Sequence, residues 1–139
     1  MIEISTVDID GHFSRFQYSQ KTVELSDDEV IFKVYSIPQD EIRWFSYKVK
    51  TLNETLAKSE HLSINGNIEF AKKGIPERII QIASSELNRD IQSSPISYQE
   101  GNYLTPASKK AWERLVIQSN NATLDIENDC FIYNRITKS

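Results

Sequence analysis

The hydrophobic residues of this chain change their period midway, and that change limits the folds open to it. In the first half, apolar and aromatic residues alternate with polar ones, as at Phe45, Tyr47 and Val49, which is typical of half-buried strands. From Pro76 to Asn88 apolar residues return every three to four positions, which predicts a helix with one buried stripe. We therefore expect an α+β fold, and one domain over residues 1–139, because no linker or repeat divides the chain.

The pattern predicts a mixed, mostly antiparallel sheet with two main helices. The predicted strands are Ile2–Val7, His12–Tyr18, Val30–Ile37, Ile42–Lys50, an interrupted stretch from His61 to Phe70, Ile91–Ser94, Ala122–Ile126 and Cys130–Ile136. The segment from Thr51 to Ser59 is expected to form a short helix or an irregular loop. Pro38–Glu41 and Glu127–Asp129 are short polar connections, so each predicts a hairpin.

The second predicted helix has a well-marked start. Thr105 is a natural N-cap, and Pro106 fits the first helical position because its missing N–H has no intrahelical partner there. The expected apolar seam consists of Ala107, Ala111 and Leu115, widened by Trp112 and Val116. We expect this seam to pack on the sheet.

The charge balance of the chain argues against nucleic-acid binding. Sixteen Lys and Arg against twenty Asp and Glu leave a net charge of −4, so nucleic acid is an unlikely partner, because its binding normally needs a clustered positive excess. A hairpin set of aromatic residues would still suit base stacking: Phe32, Tyr35, Trp44, Phe45 and Tyr47. Single-stranded nucleic-acid binding is therefore our third hypothesis, and core packing is the competing interpretation.

Cysteine and histidine usage indicates neither a disulfide nor a metal centre. Cys130 is the single cysteine, and we expect a buried thiol in a reducing compartment. His12 and His61 stand in no recognised ligand spacing, so no metal site is predicted. The start MIEISTVDID has early acidic residues and no apolar core of signal-peptide length. We therefore expect a cytoplasmic protein without membrane contact.

A glycine directly before the first helix is the strongest local hint of a binding site. In AKKGIPERII, Gly74 and Ile75 would present backbone amides at a helix N-terminus, and Lys72, Lys73 and Arg78 would add positive charge. Such an end favours phosphate. The alternative is that Gly74 only permits a tight turn between strand and helix.

From about His61 to its C-terminus the chain resembles the GCN5-related N-acetyltransferases. The resemblance lies in the order strand, loop, helix, strand, helix and two final strands, formed here by HLSINGNIEF, AKKGIP, PERIIQIASSELN, DIQSS, TPASKKAWERLV, NATLDI and CFIYNR. It implies a pyrophosphate-binding loop for acetyl-CoA, with pantetheine held between splayed strands. The cofactor-binding residues would then be Lys72, Lys73, Gly74, Ile75 and Arg78.

The chain departs from this family at the groups that bind cofactor and react. Gly74 matches the first loop glycine, but Ala71 stands where the family has Arg or Gln, and Pro76 removes a backbone donor. Trp112 stands where the family often has a tyrosine that acts as general acid, and an indole cannot take that role. Under the enzyme interpretation, Glu69 would be the base and Tyr103 the replacement acid.

Two hypotheses lead from these observations. The first is a small interaction or regulatory protein on a divergent acetyltransferase-like scaffold, with another protein as partner and a phage or other mobile element as its suggested source. Tyr98, Tyr103 and Lys109 are candidate contacts. The second is an N-acetyltransferase that uses acetyl-CoA; no cofactor is expected under the first. The sequence predicts neither the oligomeric state nor the acceptor.

Overall fold

A computed structural model describes residues 2–8, 10–22, 28–39, 44–64, 73–97 and 104–136. The elements, in chain order, are β1 (Ile2–Val7), β2 (Phe13–Thr22), β3 (Glu29–Tyr35), β4 (Phe45–Thr51), β5 (Leu56–Ile64), α1 (Ile75–Leu87), β6 (Asp90–Gln92), α2 (Pro106–Gln118), β7 (Ala122–Asp125) and β8 (Cys130–Tyr133). The α+β class, the mixed and mostly antiparallel sheet and the two main helices are therefore confirmed.

Within the described residues the strands form one eight-stranded sheet in the order β1-β2-β3-β4-β5-β6-β8-β7. Neighbouring strands are antiparallel except for β5 and β6, which are parallel. The crossover between these two is α1, because a parallel connection needs a long segment that returns to the same end of the sheet. β1 and β7 form the two edges.

Alternation along the strands gives the sheet one apolar face, and the helices pack on it. Phe32 and Tyr47 are directly opposite one another in β3 and β4, and both are fully buried on this face. The neighbouring residues Lys33 and Lys48 point to the other face and are only partly buried. Neither helix in the described part of the chain is long and apolar enough to cross a bilayer.

The segment predicted as a short helix or loop is a turn followed by a strand, so that prediction is wrong. The Asn53 side chain accepts hydrogen bonds from the backbone N–H groups of Thr55 and Leu56, at 2.9 and 3.0 Å, and β5 begins at Leu56. Its first residues lie between β4 and β6 and pair with both. Pairing on both sides holds LAKSE extended although its intrinsic strand preference is low.

The start of α2 is as predicted, but its seam is shorter. Thr105 caps the helix, and its side chain accepts a hydrogen bond from the Ser108 N–H at 3.2 Å. Ala107 is exposed, so its predicted place in the seam is wrong. The buried face begins at Ala111 and continues through Trp112 and Leu115. The first turn of α2 therefore contributes a cap rather than core packing.

Candidate functional site

The N-terminus of α1 is held against the end of β1. Gly74 has a φ of 80°, in the left-handed region, and an ideal Cβ built on it would lie 2.1 Å from the carbonyl oxygen of Val7. Real Cβ atoms do not approach an oxygen so closely, so only glycine fits here. The backbone conformation of Gly74 and its contact with Val7 explain why a glycine is needed here. They support the interpretation that Gly74 permits a tight turn, because no bound phosphate is needed to explain it.

Few groups at this helix end are free to bind an anion. Gly74 is the N-cap residue of α1 and has no side chain that could accept a hydrogen bond from the first turn. The N–H groups of Ile75 and Glu77 donate no hydrogen bond within the part of the chain described. Pro76 between them has no N–H. Lys73 is half-buried next to Gly74, while Lys72 lies outside the described residues. The end thus offers two amides and one neighbouring cation.

A buried carboxylate, that of Glu77, lies in the first turn of α1 and is paired with an arginine of α2. The Arg114 Nε donates a hydrogen bond to Glu77 Oε1 at 2.5 Å and joins α2 to α1. The Glu77 side chain is only 3% exposed, and its second oxygen, Oε2, is buried and has no hydrogen-bond partner in the described part of the chain. A carboxylate near the positive end of the helix dipole stabilises the helix. It also competes with any incoming phosphate.

The strands on either side of this helix end diverge. β5 and β6 pair over three positions, the last being Lys58 with Gln92, whereas β5 continues to Ile64. An extra residue, Glu60, interrupts the register of β5 on β4, and such a bulge bends its strand. After Gln92 the chain stays paired with β8, since the Ser93 N–H is bonded to the Phe131 carbonyl at 2.9 Å. Within the described residues, β5 beyond Lys58 therefore has no partner on its β6 side.

The residues predicted to do chemistry fall outside the part of the chain that the structure describes. Glu69 and Tyr103 both lie outside the described residues, as does Tyr98. Trp112 is fully buried, and its ring stacks on Phe131 with centroids 6.0 Å apart and planes at 15°. The indole Nε1 is buried and has no hydrogen-bond partner among the described residues. Trp112 is therefore a core residue, as the sequence predicted.

Arg78, which the sequence suggested as a cation for a phosphate at Gly74, lines a cleft along α1. The cleft runs along the outer side of α1 between β1 and the end of β8 and has a volume of about 340 Å³; we call it the α1 cleft. Tyr18 donates a hydrogen bond from its hydroxyl to Glu86 Oε1 at 2.9 Å. Burial, followed by this hydrogen bond, raises the pKa of Tyr18 to about 12. Sequence reasoning missed this cleft, which joins residues far apart in the chain.

Most of the aromatic residues proposed for base stacking are in the core. Phe32, Phe45 and Tyr47 are at most 1% exposed. Tyr35 and Trp44 contact each other at a centroid distance of 6.5 Å on the opposite face of the sheet. Three of the five rings are therefore inaccessible to a base, and core packing is the better interpretation of the set.

The turn between β1 and β2 collects three residues of metal-binding type. Ligand atoms of Asp8, Asp10 and His12 lie within 4.8 Å of one another. Asp8 Oδ1 accepts the backbone N–H groups of Asp10 and His12, each at 2.9 Å. The His12 hydrogen bond is the main reason that the pKa of Asp8 is lowered. These bonds explain the cluster as an Asx turn, signalled in the sequence by the motif DIDGH.

An apolar groove lies between α2 and the sheet edge. It has a volume of about 480 Å³, with Lys109 and Glu113 on the α2 side; we call it the α2–β7 groove. Its apolar lining consists of Ile96, Val116, Ile117, Leu124 and Phe131. The side chain of Ile117 is 84% exposed and that of Leu124 is 49% exposed. Ile126, just past β7, is 82% exposed. Lys109, one of the three predicted partner contacts, borders this groove; Tyr98 and Tyr103 lie outside the described residues.

Comparison with known proteins adds no family to these observations. No protein-family model matches the chain. No curated protein sequence matches it significantly. The functional conclusions below therefore depend on the geometry of the chain and on the resemblance in the order of its elements.

Proposed function

We propose that this protein is a small interaction or regulatory protein that binds an extended segment of another protein at the α2–β7 groove. The observation that carries the proposal is a contiguous apolar surface beside an edge strand. Exposed apolar residues that occur singly are ordinary, but a contiguous group typically marks an interaction site. Ile117 and Leu124 form such a group across α2 and β7 in the lining of the groove.

The edge of β7 determines what kind of segment fits. β7 pairs with β8 on one side and with no other described strand. An edge strand presents unpaired N–H and C=O groups, which an added strand can satisfy while its side chains enter neighbouring pockets. Leu124 lies opposite Phe131 on the α2 side of the sheet. A bound strand would therefore place alternate apolar side chains in the groove.

The length of β7 favours a different protein over a second copy of this one. β7 has four residues, so two copies paired edge to edge would share a short ladder. Stable complexes bury roughly 1,200–2,000 Å² in total. A longer partner strand can follow both β7 and the groove beside α2. Lys109 and Glu113 would then contact polar groups at its margin.

The scaffold part of the proposal is supported by topology. From β5 to β8 the elements follow the order strand, loop, helix, strand, helix and two strands, which is the order that suggested an acetyltransferase-like fold. The divergence of β5 from β6 agrees with it. Trp112, buried where the family often has a reactive phenol, favours binding over catalysis.

A peptide selection tests this function directly. Random heptapeptides displayed on phage are selected on the wild-type protein and counter-selected on Ile117→Asp, which alters an exposed side chain and should leave the fold intact. Phe13→Asp is the matched control, since Phe13 is 77% exposed in another part of the sheet. We expect enrichment of peptides with alternating β-branched residues that bind the Phe13→Asp protein normally and Ile117→Asp at least about tenfold more weakly.

Three results would contradict the proposal. One is the absence of any enriched peptide, and another is equal binding of the enriched peptides to the wild type and Ile117→Asp. The third is dimerisation of the free protein in sedimentation, abolished by Ile117→Asp, because the groove would then belong to a second copy. By contrast, NMR shifts confined to the amides of β7 and α2 during peptide titrations would support the proposed function.

Acetyl-CoA-dependent N-acetyl transfer is the second candidate, favoured by one observation. β5 pairs with β6 over three positions only, and the N-terminus of α1 has two amides without a described partner next to Lys73. A pyrophosphate at this end would be held by those amides, with Lys73 as its nearest described cation.

Calorimetry with acetyl-CoA distinguishes the two candidates. Under the enzyme hypothesis we expect micromolar binding that is weakened about tenfold by Lys73→Gln and unaffected by Lys110→Gln on α2. Absence of binding at millimolar acetyl-CoA would eliminate the enzyme hypothesis. Binding with the Lys73 dependence would instead eliminate the proposal of an interaction protein without a cofactor.

A further inference from the structure

The α1 cleft has the size and lining of a small-molecule site. Its volume of about 340 Å³ lies within the range of roughly 300–1,000 Å³ that ligand pockets occupy. Four isoleucines, Ile2, Ile4, Ile82 and Ile136, form its apolar lining, with Tyr18 and Tyr133 on the β2 and β8 sides. Apolar walls with a few polar groups are typical of sites for small organic ligands.

Arg78 brings a positive charge to this cleft without a partner for it. Its guanidinium makes no ion pair or hydrogen bond with any described residue. Its charge acts on both phenols of the cleft. Burial raises the pKa of Tyr18 and of Tyr133, and Arg78 opposes each change. Arg78, Tyr18 and Tyr133 all line the cleft.

The two acidic groups that line the cleft, Glu3 and Glu86, both have partners among the described residues. Glu3 forms an ion pair with Arg15, and Glu86 accepts the Tyr18 hydroxyl. Glu86 follows Arg78 by eight residues, which corresponds to about 12 Å along the axis of α1. The end of the cleft at Arg78 is thus the end that suits a negative charge.

We propose that the α1 cleft binds an organic anion with an apolar body, its carboxylate or sulfonate on the Arg78 guanidinium and its body against Ile4 and Ile82. A guanidinium offers a planar fork of donors that matches a carboxylate in a bidentate pair. The apolar walls exclude water from one side of that pair and so strengthen it. This site is separate from the α2–β7 groove and does not depend on the function proposed there.

Titration with 3-phenylpropionate tests the site, with 3-phenylpropan-1-ol as the neutral probe of similar shape. Binding is measured by calorimetry and by NMR shifts of the Arg78 and Ile82 amides. We expect the acid to bind with a Kd below about 1 mM and the alcohol at least about tenfold more weakly, because only the acid forms a charge-assisted pair.

Two variants separate the charge from the shape of the cleft. Arg78→Gln removes the charge at an exposed position and should weaken binding of the acid at least about tenfold. Lys110→Gln, an equal change of charge on the exposed side of α2, should leave the Kd unchanged. Ser85→Trp fills the cleft with a bulky ring and should weaken both probes.

The proposal is overturned if the acid does not bind at 10 mM. It is also overturned if the alcohol binds as tightly as the acid, or if Arg78→Gln and Lys110→Gln have equal effects. Thermal unfolding of each variant is recorded in parallel, and the three exposed sites allow binding to be compared between folded proteins. Normal binding to a folded Ser85→Trp protein would place the ligand elsewhere and also overturn it.

Discussion

Replacement of Gly74 by alanine separates two physical reasons for a glycine at this position. The first reason is backbone strain, because a φ of 80° costs a residue with a Cβ about 1–2 kcal/mol. The second is collision, because the new Cβ would lie 2.1 Å from the Val7 carbonyl oxygen. β1 and α1 would have to separate, and forced overpacking of this kind costs about 1–3 kcal/mol. The sum is about 2–5 kcal/mol.

Gly11 provides the matched control for this prediction. It has a similar φ of 83°, but a Cβ built there would meet nothing within 4 Å. Gly11→Ala should therefore lose only about 1–2 kcal/mol, from strain alone. The free energy of unfolding is measured by urea titration, with the fluorescence of buried Trp112 as the probe. With an unchanged m-value, the midpoint should fall further for Gly74→Ala.

Equal losses for the two alanine variants would refute the collision argument. They would mean that β1 yields freely at Val7, or that the end of α1 does not rest on it in solution. The same reasoning affects the choice of variants for testing phosphate binding. A larger residue at Gly74 would displace α1 as well as any ligand, whereas Lys73→Gln removes a charge without moving the backbone.

Three further predictions concern buried polar groups. Arg114→Gln should lower the free energy of unfolding, measured by urea titration, by about 3 kcal/mol, because it leaves the Glu77 carboxylate buried and unpaired. The loss should be smaller when Glu77→Gln is combined with it. Simple additivity of the two single losses would contradict the pairing. The pKa of Tyr18 is raised to about 12, so its contribution to stability is full below pH 10 and is lost as the pH rises to 12. This loss of stability is at most about 2.7 kcal/mol and should be absent from Tyr18→Phe. A pH profile that is the same in the variant and the wild type would contradict this. Ser93→Ala should cost about 1–3 kcal/mol, because the Ser93 hydroxyl accepts the Phe131 N–H at 2.9 Å; an effect below 0.5 kcal/mol and unaltered hydrogen exchange at Phe131 would contradict this bond.

The sequence predicted those elements whose signals are local. The helix expected from Pro76 to Asn88 is observed from Ile75 to Leu87, and the start at Thr105 and Pro106 is confirmed. These boundaries follow from groups only a few residues apart, namely a cap, a proline and an apolar stripe. The terminal hairpin and the pair β3 and β4 are confirmed for a similar reason, since alternation is visible within each strand.

The predictions failed where partners distant in the chain decide the outcome. Leu56 begins a strand because β4 and β6 pair with its segment, and the letters LAKSE carry little strand preference of their own. Ala107 satisfies the helical period of α2, yet it is exposed. The pattern predicts which side of a helix is apolar, but the position of the sheet decides how far along that side is covered.

The candidate sites were the part that sequence predicted least. In the sequence, Gly74 stands out by its place before a helix. The reason that a glycine is needed there is the carbonyl of Val7, 67 positions earlier in the chain. Arg78 was marked as a cation for a phosphate loop, and the fold places it in a cleft beside Tyr18 and Tyr133. Glu77 and Arg114 gave no signal, because they are 37 residues apart.

By itself, the sequence determined the class of the fold, both limits of α1, the start of α2 and the apolar faces of the strands β3 and β4. Those properties depend on periodicity and capping, which act over one or two turns or a single strand. The tertiary structure alone decided which residues meet: β1 with α1 at Gly74, α2 with the edge strand at Leu124, and Arg78 with two phenols. Clefts and grooves arise between elements, so their chemistry is fixed only when the sheet brings those elements into contact.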